Sequence, residues 1–288
     1  MRLLTACLLT SLILVSCNII NPDEQEPAYV YVKDISFTAG INQGTSNQKF
    51  TDVWVYADNS TQLITSVPAN VPILKQGSTD IKVFAGIKNN GLSESRIIYP
   101  FVKPFEYTSN LQPLATDTVH ATFEYYPTVD IDQKDFESGG TYFVGLSGDA
   151  GAATTVTDPA YVFEGTRSGL LKLNAGSYLL YKKISNPLYL TSGENYFLEL
   201  NYSCNDIFAV GLISTESGTP TKNVVLLINP TTSDTEVPTW NKIYIDLGAV
   251  PQQHPNADNF EIYFEIASNT GATPISLYLD NIKFLKFQ

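Results

Sequence analysis

In the stretch Phe260-Glu261-Ile262-Tyr263-Phe264-Glu265-Ile266, every second residue is large and apolar. A period of two puts Phe260, Ile262, Phe264 and Ile266 on one face of a strand, and Glu261, Tyr263 and Glu265 on the other. The same alternation sets Ile243, Ile245 and Leu247 against Lys242, Tyr244 and Asp246. Nowhere does a helix-length segment repeat its apolar residues at a period of 3.6, so the cores have to be built from sheets. Near the C-terminus, Leu277 and Leu279 have odd parity while Ile282 and Phe284 have even parity. One buried face holds both pairs only if an extra residue enters near Asp280-Asn281, which predicts a β-bulge there.

The rest of the chain has the same character. Tyr-Val-Tyr-Val-Lys-Asp-Ile-Ser-Phe at 29–37 and Asp-Val-Trp-Val-Tyr-Ala at 52–57 are rich in β-branched and aromatic residues, and further strands are predicted at 79–87, 95–102 and 116–126. Loops rich in Asn, Ser, Gly and Pro separate them, as at 40–48 and 88–91. With 17 Tyr, 15 Phe and a single Met, the composition agrees with an all-β protein.

The first residues carry a different signal. Arg2 is followed by an apolar run from Leu3 to Val15, too short to span a membrane, that ends in Leu14-Val15-Ser16-Cys17. That ending resembles the lipobox of bacterial lipoproteins. The resemblance implies cleavage after residue 16, acylation of Cys17 and anchoring in outer-membrane lipid, several acyl chains making the anchor durable. Residues 17–28 then form a polar tether. Its acids, Asp23, Glu24 and Glu26, resemble the surface-export tag of lipoproteins in the Bacteroidota, which implies a surface-exposed location.

Charge narrows the partners. A formal net charge of −12 argues against nucleic acid, whose phosphates need Lys and Arg, and against a polybasic grip on anionic lipid. Of three cysteines, Cys7 departs with the signal and Cys17 is acylated, leaving Cys204 without a disulfide partner.

Two resemblances bear on the mature chain. Thr-Asp-Val-Trp-Val-Tyr-Ala-Asp-Asn at 51–59 and the stretch from Pro68 to Ile87 are similar to a short extracellular β-sandwich of the PEGA-like or immunoglobulin-like kind, assigned here to 29–128, with Tyr-Tyr-Pro-Thr-Val-Asp at 125–130 as the junction. From Asp135 the pieces are Asp-Phe-Glu-Ser-Gly-Gly at 135–140, Thr-Arg-Ser-Gly-Leu-Leu-Lys-Leu at 166–173 and Asn-Tyr-Phe-Leu-Glu-Leu-Asn-Tyr at 195–202. They continue with Thr-Trp-Asn-Lys-Ile-Tyr-Ile-Asp-Leu at 239–247, the 260–266 strand, and Ser-Leu-Tyr-Leu-Asp-Asn-Ile-Lys-Phe at 276–284. In that order they resemble the galactose-binding-like jelly rolls of many carbohydrate-binding modules, assigned to 129–288. The resemblance implies a structural calcium held by Glu137 and Asp280, since carboxylates and loop carbonyls suit that ion.

Catalytic motifs are absent: there is no H-E-x-x-H, P-loop, C-x-x-C or G-x-S-x-G. Neither His120 nor His254 has a recognisable partner. Glu261 and Glu265 lie about 13 Å apart along one strand, more than either glycosidase separation. For a sugar, aromatic faces beside polar side chains are needed, and Tyr244, Tyr263, Glu261 and Glu265 all point away from the inferred core. With Trp240 they form the expected ligand-binding set. The expectation is therefore a non-enzymatic, two-sandwich envelope lipoprotein that captures glycans. The alternatives are an accessory subunit contacting another envelope protein and, third, a glycan-active enzyme.

Overall fold

A computed structural model of the chain describes residues 24–233 and 237–288; the signal segment, Cys17 and Asp23 lie outside the described residues. The protein is all-β and is built from two sandwiches. In the first, β1 (Ala28–Phe37) lies between β4 (Ala69–Ile73), antiparallel, and β8 (Thr116–Phe123), parallel. The facing sheet runs β3 (Ser60–Ser66), β2 (Asp52–Ala57), β5 (Gly77–Lys88), β6 (Arg96–Ile98), and β7 (Phe105–Leu111) also pairs with β5. Alternation explains the core between them: Val30 and Val32 of β1, Val53 and Val55 of β2, and Ile81 and Val83 of β5 are all fully buried.

The second unit is a jelly-roll sandwich. Its outer sheet runs β10 (Phe143–Gly145), β13 (Leu179–Ile184), β18 (Asn259–Ala267), β15 (Phe208–Glu216), β16 (Thr219–Ile228). Its inner sheet runs β11 (Ala152–Val156), β12 (Ser168–Leu173), β19 (Ile275–Phe287), β14 (Phe197–Cys204), β17 (Asn241–Asp246), with β9 (Val129–Lys134) pairing the end of β19. A five-residue helix α1 (Ala249–Gln253) follows β17. Phe260, Ile262, Phe264 and Ile266 enter the core between these sheets, as do Ile243, Ile245 and Leu247. The β14–β19 register shifts by one residue across Glu199–Asn201 opposite Asp280–Lys283, and Asn281 has φ +46°. That is the bulge required by parity, and it lets Leu279 and Ile282 share the core.

The inner sheet is not solvated on its far side. All eight residues of β14 are buried, against the four that alternation with one wet face would give. Loops and strand ends of the first sandwich cover that face: Phe50, Tyr99, Phe101 and Tyr125 pack with Phe197, Tyr244 and Leu285. Tyr99 lies 5.5 Å from Phe197 and 4.9 Å from Tyr244, ring centre to ring centre. The 88–95 turn is tied to β17 by Asn90 N–H donating to the Tyr244 carbonyl (3.0 Å) and Asp246 N–H donating to Asn90 Oδ1 (2.9 Å).

Candidate ligand-binding face

The expected ligand set divides between two sheets. Tyr263, Glu261 and Glu265 lie together on β18, facing away from the core on the outer sheet. Tyr244 does not join them. It is 3 % exposed on β17, its hydroxyl accepts from the Lys49 backbone N–H at 2.9 Å, and its hydroxyl pKa is driven far up by burial. The assumption that failed was that a polar strand face means water; here it means the first sandwich. Trp240 also belongs elsewhere. It is half-buried just before β17, where its ring packs 5.3 Å from Phe163 and 6.4 Å from Tyr278.

On the outer face, β13 and β18 are in register, so Lys183 sits beside Tyr263 and Tyr181 beside Glu265. Lys183 Nζ is 2.7 Å from Glu261 Oε2, and Lys222 Nζ of β16 is 2.7 Å from Glu265 Oε2. Lys222 also lies 5.5 Å above the Tyr181 ring. Tyr181 meets Tyr263 edge-on at 5.5 Å. The Tyr263 ring lies across Gly211, where any Cβ would come within 2.7 Å of it. Tyr263 itself is fully buried and its hydroxyl has no hydrogen-bond partner among the described residues. Burial, then the charges of Glu265 and Tyr181, push that hydroxyl well above its ordinary range. The partly exposed aromatic on this face is therefore Tyr181, which sequence reasoning passed over because its strand, interrupted by charged Lys182 and Lys183, had no marked alternation.

A cleft of about 430 Å³ opens at the edge of this face. Asp206, Glu265, Asn269 and Thr270 supply its polar groups, and Ala209 and Leu227 its apolar ones. A few convergent polar groups around an apolar patch is the usual make-up of a small-molecule site, and the volume falls in that class. Leu227 is 65 % exposed.

The two acids expected to share calcium reach a single turn, 164–168. Glu137 accepts from the Thr166 N–H (3.0 Å) and hydroxyl (2.6 Å) and from the Arg167 N–H (3.1 Å), and the Thr166 bonds hold its pKa down. Asp280 accepts from the Ser168 hydroxyl at 2.6 Å and from the Asn281 N–H at 2.7 Å. Burial pushes Asp280 up to about 6, and the charge of Glu137 adds to the rise. Like charges meeting at one turn are an arrangement that a hard cation relieves. Among the described residues no third His, Cys, Asp or Glu completes a metal-binding group, so the remaining ligands of such an ion would have to be neutral oxygens. Both histidines do have partners: His120 Nδ1 lies 2.8 Å from Asp34 at the surface, and His254 Nε2 lies 2.7 Å from Asn223 Oδ1. Cys204 is buried, which raises its thiol to about 12 and leaves it inert.

No family model matches the chain, and no curated protein matches its sequence. Distant likenesses exist among solved structures. One is a structure of carbohydrate-binding modules from the β-sandwich superfamily, 12 % identical over 92 % of this chain and 100 % of that one, with a TM-score of 0.43. Another is the Clostridium thermocellum xylanase 10B module pair complexed with xylohexaose, 14 % identical over 54 % of this chain and 28 % of that one, TM-score 0.38. A third is a mutant family 29 carbohydrate-binding module complexed with mannohexaose, 15 % identical over 55 % of this chain and 92 % of that one, TM-score 0.35.

Proposed function

We propose that this chain is a lipid-anchored envelope protein that captures a neutral glycan, without chemistry, on the outer face of its second sandwich. The observation that carries the reading is the edge cleft lined by Glu265, whose cross-strand neighbour on the same face is the partly exposed Tyr181. It offers carboxylate, amide and hydroxyl groups for sugar hydroxyls next to apolar surface for a ring face. Glu261 and Glu265 are each held by a lysine, which fixes their rotamers and suits them to accepting hydrogen bonds. The lipobox supports acylation of Cys17, and the acids at 23–26 support display at the cell surface.

The test is a glycan array probed with the full chain in detergent, followed by titration of any hit. Tyr181→Ala and Glu265→Gln should each weaken binding of a neutral oligosaccharide by roughly tenfold, the loss of one stacking or charge-assisted contact. An array without neutral hits, or hits indifferent to both substitutions, would remove this reading.

One observation favours an interaction subunit instead. β16 is an edge strand of the outer sheet and leaves Val224 and Leu227 exposed, a surface onto which a partner strand can add. Cross-linking in intact cells from position 224 separates the readings: a discrete protein adduct favours the subunit.

A further inference from the structure

A second cleft, of about 360 Å³, lies between the two sandwiches and has the opposite electrostatic character. Three lysines line it, Lys49 and Lys88 from the first sandwich and Lys242 from β17, and no Asp or Glu does. In a chain with 29 acids and 17 basic residues, that is a local inversion of sign. Lys242 is spoken for, since its ammonium lies 2.7 Å from Glu199. Lys49 and Lys88 are not: among the described residues neither has a carboxylate within ion-pair distance. Lys49 Nζ donates to Asn241 Oδ1, and Lys88 Nζ donates to Ser93 Oγ at 3.3 Å. The Lys49 ammonium is held below the usual lysine range, first by desolvation and then by the positive charge of Lys88. Two cations that raise each other's energy in one cleft are stabilised by an anion between them.

We propose that this cleft binds a carboxylate-bearing saccharide, with Lys49 and Lys88 receiving the carboxylate. The lining favours a sugar acid over a bare inorganic ion. Asn90 and Asn229 line it with side-chain amides suited to ring hydroxyls, beside apolar surface from Leu92 and Leu226. The cleft is open and of a size for one or two sugar units. Its first-sandwich wall is tied to the second by the two hydrogen bonds between Asn90 and β17, one donated by Asn90 N–H and one accepted by its Oδ1. The site shares Leu227 with the outer-face cleft, but Lys49 and Lys88 line this cleft alone and Glu265 lines only the other.

Isothermal titration of the full chain in detergent tests this, with trigalacturonate as the acidic probe and galactotriose and sodium sulfate as controls. Trigalacturonate should bind saturably and more weakly as salt rises. Lys49→Ala with Lys88→Ala should weaken it by roughly tenfold or more, the loss of two charge-assisted contacts, at an unchanged melting temperature. Glu265→Gln should leave it intact. Equal affinity for galactotriose, full affinity in the double variant, or no uronate binding overturns the proposal. Lysine-dependent binding of sulfate without uronate overturns the saccharide as occupant. Because the outer-face variants are scored with a neutral sugar, either site can fail while the other stands.

Discussion

Lys242 Nζ and Glu199 Oε2 lie 2.7 Å apart where the sandwiches meet, with side chains only 4 % and 2 % exposed. The other oxygen of Glu199 accepts from the hydroxyls of Tyr99 and Tyr125, each at 2.7 Å. Burial alone would raise the Glu199 pKa, but the charges of Lys242 and Lys283 and the bonds from Lys242 and Tyr99 outweigh it, so the carboxylate stays ionised. Residues from both sandwiches thus satisfy one buried charge.

Removing that charge strands its partners. Glu199→Gln leaves Lys242 buried without its ion-pair partner and takes from Lys283 the stronger of its two carboxylate neighbours, at a cost of about 3–5 kcal/mol. Urea denaturation should show that loss, and Glu199→Gln combined with Lys242→Met should recover part of it. A single variant as stable as wild type would show that the cluster is not the junction's electrostatic centre.

The same cluster makes stability depend on alkaline pH. Burial brings Lys283 down from 10.5 to about 8, partly offset by Glu199 and reinforced by Lys242. Between those values the unfolded chain binds a proton that the native state lacks, so this residue's contribution to stability rises with pH. Cys204, raised to about 12, and Tyr99, Tyr125 and Tyr244 pull the other way above roughly pH 9–10, because their unfolded forms ionise first. Comparison with Lys283→Met cancels them. From pH 8 to 10 wild type should gain on that variant by on the order of 1–3 kcal/mol, and a flat difference would refute the shift.

Calcium held by Glu137 and Asp280 would add about 2.7 kcal/mol at a hundredfold excess over Kd, and each kcal/mol moves Tm by roughly 2–4 °C. Chelation should lower the Tm of the full chain, and Asp280→Asn should abolish the response to added calcium. A melting curve indifferent to both calcium and chelator removes the ion.

Anchoring is tested in cells. Cys17→Ser should release the protein from the membrane fraction or leave unprocessed precursor. Protease added to intact cells should digest wild type, and Ala at positions 23, 24 and 26 should protect it. Normal retention of the Cys17 variant, or full protection of wild type, would overturn the respective expectation.

Strands with a clear period of two were legible: 29–37, 52–57 and 79–87 became β1, β2 and β5, and the parity break at Asp280-Asn281 located a bulge. β3, Ser-Thr-Gln-Leu-Ile-Thr-Ser, escaped because its residues are exposed or half-buried on both faces, leaving no pattern. Glu261 and Glu265 lie on the outer face because β18 has one face in the core and one outside it, whereas Tyr263, on that same outer face, is itself buried. Tyr244 was misplaced because alternation tells the two faces of a strand apart but not what covers them. Glu199, Lys242 and Lys283 are brought together by the pairing of three neighbouring strands of the inner sheet, and are buried only by the packing of the first sandwich over it.

The covered inner sheet gives the junction a mechanical meaning. The outer face and the Glu199 cluster lie on opposite sides of the second sandwich, and the first sandwich follows the segment expected to be the tether. On the function proposed above, tension applied to a glycan held there would cross from one half to the other by two parallel routes. One is the covalent segment 124–128, which feeds β9 into the end of β19. The other is the non-covalent weld of Tyr99, Tyr125, Lys242 and Lys283 around a single carboxylate, and it shares the load for as long as that carboxylate keeps its charge.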